Sequence, residues 1–376
     1  AMSKVLVTGG AGFIGSFTVD LLVDKGYDVV VMDNYEYQVH LGRRPDYLNG
    51  KAKYIDGDVR HEKHWMRALE GVDYIVHLAA AVGVGQSFWE ARKYVSVNVT
   101  GTAILYQILI KNRNLAKNIR KIVVASSKSI YGEGAYRCPE HGEVHPGPRS
   151  VEQLRRGDWE QRCPICGRPV EPIGIREEKP PQNLSPYALS KYATERLALQ
   201  YSDVLGIPTV AFRYFNVYGP RQSLNNPYTG VVAIFLSRMK NGRSPVVFED
   251  GRQVRDFVYV GDISRINVMA LEDERIAGAV NVGTGRPTSL LEMIGMLREL
   301  TGSSVEPEIT GEFRPGDNRH DYADVTRLRA MMGDYQFTGV REGLAELVEW
   351  SEGREAKDMF EREERERNRF LGSGAR

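Results

Sequence analysis

The sequence predicts an α/β fold in which a doubly wound parallel sheet carries helices on both faces. Short runs rich in β-branched residues alternate with stretches of helical periodicity, which is the pattern of parallel strands joined by crossover helices. A glycine-rich turn directly follows the first run, and an acidic residue, Asp33, follows the second. The predicted strands cover residues 5–8, 29–32, 53–55, 74–77, 122–125 and 209–213.

The turn after the first strand has the composition of a dinucleotide-binding site. Gly9, Gly12 and Gly15 open the first predicted helix and let backbone amides at its N-terminus approach a pyrophosphate without an intervening Cβ atom. Asp33 ends the second strand, where a carboxylate accepts both hydroxyls of an adenine ribose. Asn34 follows, and no arginine occurs before position 43, so NAD is favoured over NADP. A tight turn without a ligand is the alternative.

A tyrosine and a lysine form a candidate catalytic pair. Tyr187 and Lys191 are four residues apart on a predicted helix and therefore share one face of it. A nearby cation favours phenolate and lowers a tyrosine pKa from its ordinary value of about 10, which makes the phenol a usable base. The spacing alone also fits an ordinary amphipathic helix. Ser126 and Ser127 add context, because they follow a buried strand at the edge where parallel sheets bind ligands.

Eight segments together resemble the extended short-chain dehydrogenase/reductase family, and within it the nucleotide-sugar epimerases and dehydratases. They occur in the family's order and cover residues 3 to about 350 apart from one insertion. The segments are TGGAGFIG (8–15), HLAA (77–80), NVTGT (98–102), SSKSIYG (126–132), YALSK (187–191), RYFNVYGPR (213–221), RDFVYVGD (255–262) and RPGD (314–317). The fold that this resemblance implies is a Rossmann-type sheet with a smaller mixed α/β substrate-binding lobe.

The resemblance also implies roles for individual residues. It makes Ser127, Tyr187 and Lys191 the catalytic triad. It places NAD against the turn and strand residues Gly9, Gly12, Phe13, Ile14, Gly15, Asp33, Asn34, Asp58, Val59, Leu78, Ala79, Ala80, Asn98, Ser126 and Phe215, together with Tyr187 and Lys191. It places the nucleoside diphosphate sugar against Ser87, Ser127, Tyr187, Asn216, Arg221, Arg255 and Arg314. Arginine suits a diphosphate because its planar fork pairs with two phosphate oxygens, although a surface charge is the alternative for Arg314.

The reaction that the resemblance implies is epimerisation, most often at C4 of the sugar. Tyr187 would take the proton of a hydroxyl while hydride leaves the same carbon for NAD, and the ketosugar would be reduced again from its other face. Dehydratases of the family carry Asp and Glu directly after the catalytic hydroxyl. This chain has Lys128 and Ser129 there, which disfavours elimination and decarboxylation. Gly85 lies at a position where glucuronate epimerases of the family often have arginine, so the resemblance mildly favours a neutral sugar over a uronic acid.

Two other functions remain open from the sequence. An NAD(P)H-dependent reductase of nucleotide 4-ketosugars would use the same triad, and it would consume reductant stoichiometrically. A noncatalytic NAD-sensing or scaffold protein would not need an intact triad, so Ser127, Tyr187 and Lys191 argue against it.

An insertion over residues 133–181 interrupts the alternation and contains all three cysteines. Cys138 with His141, and Cys163 with Cys166, form two pairs with three-residue spacing, each followed by glycine, as in a tetrahedral structural zinc site. His145 could replace His141, and three free thiols are the alternative. A sub-branch of deoxysugar nucleotide 4-epimerases carries a comparable insert. Because the insert joins the Ser127 strand to the Tyr187 helix, we expect a lid or wall beside the sugar.

The chain of 376 residues divides into three predicted parts. Residues 1–220 form the NAD-binding Rossmann domain, which contains the insertion. Residues 221–350 are mainly the substrate-binding lobe, with strands near Val246 and Val280 and a helix over residues 289–301. Residues 351–376 form a charged tail, expected to be a solvated helix that frays, with a partner-binding role less favoured.

Composition limits the partners. Lys and Arg number 50 against 49 Asp and Glu, a net charge of +1, so no overall field would recruit nucleic acid or an anionic membrane. No apolar run approaches the roughly 20 residues that span a bilayer, and no leader precedes the first strand, so we expect a cytoplasmic protein. A homodimer is the family's habit, and the helices near 98–112 and 186–201 could pack on a partner subunit.

Overall fold

The computed structural model describes residues 2–41 and 43–372, with the backbone alone at 37 and 38. Residues 373–376 of the predicted tail lie outside the described residues. The first part of the chain alternates strands with helices: β1 (Lys4–Thr8), α1 (Phe13–Asp24), β2 (Asp28–Asp33), α2 (Tyr37–His40), β3 (Lys53–Asp56), α3 (Glu62–Ala68), β4 (Tyr74–His77), α4 (Ala91–Tyr94), α5 (Gly101–Lys111), α6 (Arg113–Ala116) and β5 (Lys121–Ala125).

The insertion forms a small sheet of its own, in the order β7-β6-β8. Its elements are β6 (Ala135–Cys138), β7 (Gly142–Val144), α7 (Val151–Arg155) and β8 (Glu171–Ile173). The remaining elements are α8 (Pro186–Leu205), β9 (Thr209–Tyr214), β10 (Asn216–Tyr218), α9 (Val231–Lys240), β11 (Val246–Val247), β12 (Val254–Arg255), β13 (Phe257–Tyr259), α10 (Val260–Leu271), β14 (Gly278–Val282), β15 (Thr288–Ser289), α11 (Leu290–Thr301), β16 (Glu308–Ile309), α12 (Thr326–Met332), α13 (Val340–Ser351) and α14 (Phe360–Leu371).

The main sheet has seven parallel strands in the order β14-β9-β5-β4-β1-β2-β3. Its strands are buried on both faces, which explains why their sequences are continuous apolar runs rather than alternating ones. The strand order reverses between β1 and β4, and ligands of such sheets bind in the crevice outside that point. The predicted α/β fold class is therefore confirmed.

The predicted boundary at residue 220 does not separate the sheet from the second lobe. The strand around Val280, expected in the substrate-binding lobe, is β14, which pairs in parallel with β9 at the edge of the main sheet. Helix α10 also returns to pack against α1. The chain thus returns from the second lobe to the main sheet, where Val280 and Val282 of β14 are fully buried.

Helix α8 carries the candidate tyrosine and lysine, and its ends are fixed by local sequence. Ser185 caps its N-terminus by accepting a hydrogen bond from the backbone N–H of Ala188 at 3.0 Å, and Pro186 occupies the first turn. Gly206 ends the helix with a φ of 68°. Helix α8 packs on β5 and β9, so its inward face looks onto the carboxyl edge of the sheet.

The charged tail is a helix, as predicted, but it does not fray within the described residues. Helix α14 extends from Phe360 to Leu371, and Glu363 on it is buried against the rest of the chain. Its partners include Arg314 and Trp89, which are distant along the chain, so composition alone could not reveal them. Among the described helices, none combines the length and the apolar character needed to cross a bilayer.

Candidate active site

A cavity of about 700 Å³ lies at the carboxyl edge of β1, β4 and β5 and continues into the substrate-binding lobe. It brings together most of the predicted site residues. Those that line it are Gly9, Gly12, Phe13, Ile14, Gly15, Asp33, Asn34, Asp58, Val59, Leu78, Ala79, Ala80, Ser126, Ser127, Tyr187, Lys191, Phe215, Asn216, Arg255 and Arg314. A pyrophosphate cradle, a candidate base and two arginines therefore share one enclosed space.

The glycine turn is shaped as a cradle that side chains would fill. Gly9 has a φ of 70°, and a Cβ atom on it would lie 2.9 Å from the backbone nitrogen of Ala79. A Cβ atom on Gly15 would lie 2.2 Å from the carbonyl oxygen of Gly9. Gly12 caps α1 without a side chain, so the amides of the first turn stay available to an anion. These features fit the pyrophosphate of a dinucleotide.

Asp33 lies at the end of β2 beside this cradle. Its carboxylate accepts hydrogen bonds from the backbone N–H groups of Ala11 at 3.0 Å and Tyr35 at 2.8 Å, which fix its orientation. Burial raises its pKa, and the hydrogen bonds from Tyr35 and Ala11 act against that effect. An oriented carboxylate at this position suits a ribose diol and would repel a ribose phosphate.

Ser127, Tyr187 and Lys191 converge where β5 ends against α8. A side-chain hydrogen bond joins Tyr187 to Ser127, and the hydroxyl of Ser127 also accepts the backbone N–H of Ser129 at 3.0 Å. Burial lowers the pKa of Lys191 to about 8, while the carboxylate of Glu195 acts in the opposite direction. A phenol, a hydroxyl and an ammonium thus face the same point of the cavity.

The expected lowering of the Tyr187 pKa is not found. Burial raises it, and only the hydrogen bond with Ser127 opposes this. The ring is packed edge-on against Tyr94, with 6.1 Å between centroids, and burial of the phenol is the main reason why its pKa is raised.

Glu195 supports this site and was missed in the sequence. Its buried carboxylate accepts the hydroxyl of Ser126 at 2.8 Å and a bidentate pair of hydrogen bonds from Arg213 at 2.8 and 2.7 Å. Arg213 in turn donates to the hydroxyl of Tyr131 at 2.8 Å, which fixes the loop after Ser127. Helical spacing was the available signal, because Tyr187, Lys191 and Glu195 repeat every four residues.

Lys128 neither enters the cavity nor points freely into solvent. Its ammonium donates to both carboxylate oxygens of the buried Asp321, each at 2.8 Å. The same carboxylate lies 3.5 Å from the guanidinium of Arg255. Lys128 therefore joins the loop after Ser127 to Asp321, whose carboxylate also lies beside Arg255.

Three predicted contact residues lie outside the cavity. Ser87 is fully buried and donates to the carbonyl of Val84 at 2.6 Å. Arg221 forms an ion pair with Asp20 at 2.8 Å, because a positive φ of 73° turns its side chain toward α1. Asn98 lies in a π-helical stretch before α5 and holds the loop after β4 through hydrogen bonds to both backbone groups of Ala81. Asn98 thus supports the cavity wall from behind. The direct ligand contacts expected of these three residues stay predictions.

On the substrate side, the cavity is polar and partly unsatisfied. The buried carbonyl oxygen of the Asn216 side chain has no hydrogen-bond partner among the described residues. Arg255 is held from behind, because it donates to the carbonyl oxygens of Val254 and Arg319 at 2.8 Å each. Arg314 stacks on Phe248, with 4.4 Å between its guanidinium carbon and the ring centroid. This end is suited to a ligand with both donors and negative charge.

The insertion brings the predicted metal ligands together. The ligand atoms of Cys138, His141, Cys163 and Cys166 all lie within 4.8 Å of one another. The sulfur of Cys138 is 3.6 Å from that of Cys166 and 3.7 Å from Nδ1 of His141, which is 3.7 Å from the sulfur of Cys163. A tetrahedral zinc with bonds of about 2.3 Å to sulfur and about 2.1 Å to nitrogen would place its ligands about 3.5–3.8 Å apart. The donor set therefore fits zinc, and His145 is instead paired with Glu143 at 2.9 Å.

The insertion does not form the expected lid or wall of the described cavity. No residue between 133 and 181 lines that cavity. Its contacts run to the substrate-binding lobe, where Arg149 forms two hydrogen bonds with Glu249, at 2.7 and 2.9 Å, and Glu160 binds both Arg319 and His320. The insertion thus braces the segment whose carbonyl groups hold Arg255, because its charged residues find buried partners there.

Two family models match successive parts of the chain. The GDP-mannose 4,6 dehydratase model matches residues 6–151. The model of the NAD dependent epimerase/dehydratase family matches residues 164–283. The twelve residues between the two matches, 152–163, lie inside the insertion.

Known proteins of similar sequence and structure cover almost the whole chain. It is 35% identical over 351 residues to a dTDP-L-rhamnose 4-epimerase from Burkholderia thailandensis, which covers 92% of this chain and 94% of that one. A UDP-glucose 4-epimerase from Thermotoga maritima, solved with UDP-glucose, superposes with a TM-score of 0.74 at 32% identity over 92% of this chain and 98% of that one. A UDP-glucose 4-epimerase from Thermus thermophilus, solved with NAD, gives 0.72 at 30% identity over 94% and 100%.

The similarity to these relatives extends over both the main sheet and the substrate-binding lobe. Most of the motifs that line the cavity lie within one or other of the two matched segments, whereas Arg314 lies beyond both. The chain therefore belongs to the NAD-dependent epimerase/dehydratase family, as its eight motifs had indicated.

Proposed function

We propose that the protein is an NAD-dependent epimerase that inverts C4 of a nucleoside diphosphate sugar. The observation that carries this proposal is the single cavity in which Tyr187 and Ser127 face the dinucleotide cradle while Arg255 and Arg314 lie toward the other lobe. When Arg255 and Arg314 bind the diphosphate, the hexose ring lies between these arginines and Tyr187. The relatives named above are 4-epimerases of such sugars.

The cofactor proposed is NAD, held by three features of the chain. The amides of the Gly9–Gly15 turn bind the pyrophosphate, the carboxylate of Asp33 binds the adenine ribose, and Lys191 reaches the second ribose from α8. NAD, when bound, accepts a hydride from the sugar and returns it. The related structure from Thermus thermophilus contains NAD.

The residues of the chain manage the proton and the position of the sugar. Tyr187 accepts the proton of the C4 hydroxyl and later gives it back, so no net oxidant or base is consumed. Ser127 holds the same oxygen through its hydroxyl, and Lys191 stabilises negative charge on the phenol oxygen. Inversion requires that the ketosugar expose its other face, which a cavity of about 700 Å³ has room for once the diphosphate is anchored.

Elimination of water is less well supported than epimerisation, although one matching model takes its description from a dehydratase. The two positions after Ser127 are Lys128 and Ser129, and the ammonium of Lys128 is committed to Asp321. No carboxylic acid therefore follows the candidate serine to protonate a leaving hydroxyl at C6. A deoxysugar such as dTDP-L-rhamnose is the substrate class proposed, on the strength of the Burkholderia relative and of the cysteine-bearing insertion.

The test is incubation of the purified protein, without added cofactor, with dTDP-, UDP-, GDP- and CDP-sugars while NMR follows the configuration at C4. One sugar is expected to approach a mixture of two epimers with no net change in NADH absorbance. Conversion only after addition of NADH or NADPH and a ketosugar would replace the proposal with a reductase. A complete absence of conversion under both conditions would contradict both activities.

We also infer that the four-ligand cluster holds a structural zinc ion. The separations of its donor atoms match a tetrahedral site, and four protein ligands leave no open position for chemistry. The buried core of the insertion comprises Tyr136, Val144 and two of the cysteines, which is too little apolar surface to hold a 49-residue segment.

We propose that a second copy of this chain covers the outer faces of α5 and α8. Leu189 and Val204 on α8 are 55% and 58% exposed, and Val95, in the π-helical stretch that leads into α5, is 43% exposed. Unpaired apolar faces on two adjacent helices suit a helical interface related by a twofold axis. Sedimentation velocity of the wild-type protein is expected to give twice the 42.3 kDa mass of the chain. The Leu189→Glu variant is expected to sediment as a monomer. A wild-type protein that sediments as a monomer would contradict this interface.

A further inference from the structure

The C-terminal helix α14 lies over the substrate end of the cavity. Phe360, Glu363 and Arg367 from this helix are among the lining residues, next to Arg255 and Arg314. Nothing in the proposed chemistry requires these three side chains. Their position means that the helix shares space with the ligand that the arginines attract.

Two carboxylates of the helix already contact the Nη2 group of Arg314. Its Nη2 atom donates to Oε2 of Glu363 at 3.0 Å and also to the carboxylate of Glu364. The side chain of Glu363 is 91% buried, and that of Arg314 is 80% buried, so this is an enclosed ion pair rather than a surface contact. A carboxylate and a phosphate present the same charge and similar acceptor oxygens to a guanidinium. A phosphate oxygen that takes the Nη2 donors must therefore displace these carboxylates, while the buried Nε of Arg314 has no partner among the described residues.

The same turn of the helix reaches the loop that follows β4. Arg367 donates to Oε1 of Glu363 at 3.0 Å, and its Nη2 atom would lie 2.3 Å from a Cβ atom on Gly85. Gly85 therefore makes room for this guanidinium. The helix therefore borders the cavity from Arg314 to the loop after β4.

The helix has an exposed C-terminal end and an irregular connection to the rest of the chain. Its sequence from Phe360 to Leu371 is mostly charged, and its last two residues, Phe370 and Leu371, are 49% and 45% exposed. Arg238 lies over the ring of Phe360, with 5.3 Å from its guanidinium carbon to the ring centroid, and Phe370 stacks on Trp89. Just before the helix, Asp358 pairs with Arg238 at 3.0 Å. Gly353, with a φ of 73°, precedes an irregular segment that connects the helix to α13. Exposed helix ends and irregular connections are the places where local opening begins.

We propose that α14 is an autoinhibitory plug, in which Glu363 and Glu364 occupy the place of the substrate's diphosphate on Arg314. This inference rests on the proposed function, since it takes the diphosphate site from there. The substrate binds only to molecules in which the helix has moved away, so the apparent affinity is reduced by the fraction of plugged molecules.

The test uses full-length protein and measures binding of dTDP and UDP by titration calorimetry. Glu363→Gln combined with Glu364→Gln removes both competing charges, and we expect the Kd to fall about tenfold, the effect of losing a charged hydrogen-bonded contact. Phe370→Ala loosens the helix far from Arg314 and is also expected to lower the Kd. Glu361→Gln is the matched control, because it removes one charge from an exposed position on the same helix.

An unchanged or higher Kd in both the double variant and Phe370→Ala would overturn the plug, since the helix would then assist binding or play no part in it. The proposed function fails separately: tighter nucleotide binding by these variants without epimerisation of any sugar would sustain the plug and refute the activity. If the sugars are epimerised but the variants bind nucleotide no better than wild type, the activity stands and the plug does not.

Discussion

Replacing Tyr187 with Phe is expected to lower the rate of epimerisation by about 10²–10⁴-fold, the usual contribution of a positioned general base. The ring would keep its edge-on contact with Tyr94, so the cavity should hold its shape. Only the phenol oxygen, which is hydrogen-bonded to Ser127, is lost. The measurement is the rate of C4 inversion by NMR together with the amount of NAD released on denaturation.

The control for this variant lies on the same helix. Tyr201→Phe also removes a phenol oxygen from α8, but its ring is stacked on Tyr106 away from the cavity, with 5.0 Å between centroids. It should turn over at the wild-type rate. Normal turnover by Tyr187→Phe would refute the assigned base. Lost turnover together with lost NAD would mean that the phenol holds the cofactor rather than moving a proton.

The part of this site that sequence could predict is the part built by local sequence order. A strand that runs into a glycine turn, an acid at the end of the next strand and a four-residue spacing on a helix are all fixed by neighbours along the chain. Asp33 and Lys191 were therefore found at the cavity. The direction of the Tyr187 pKa shift could not be predicted in this way, because it depends on how completely the folded protein removes water from the phenol.

The part that sequence could not predict depends on contacts between distant segments. Arg221 was expected to contact the nucleoside diphosphate sugar, but its backbone is left-handed and its side chain forms an ion pair with Asp20. The charged tail looked solvated because its partner, Arg314, lies about fifty residues earlier in the chain. The strand around Val280 was given to the wrong lobe for the same reason, since its pairing partner β9 precedes it by some seventy residues. Hydrophobic periodicity indicates which face of a helix or strand is buried, but it does not indicate which other element packs against that face.

Removing the proposed zinc is expected to unfold the insertion and to weaken substrate binding without touching the catalytic residues. Structural zinc contributes roughly 10–16 kcal/mol of binding free energy in small zinc-dependent domains, and the insertion has little else to hold it together. Purified protein should contain one zinc per chain by mass spectrometry. Cys163→Ser or His141→Ala should lose it and show a lower Tm.

The consequence for function follows from what the insertion braces. Glu160 and Arg149 hold Arg319 and Glu249, and the carbonyl oxygen of Arg319 accepts a hydrogen bond from Arg255. Loss of zinc should therefore raise the KM for the nucleotide sugar more than it lowers kcat. His145→Ala is the matched control, since that ring is paired with Glu143 and should leave zinc bound. Zinc-free wild-type protein with an unchanged Tm and KM would show that the four side chains form a reduced thiol cluster and that the ionic contacts alone hold the insertion in place.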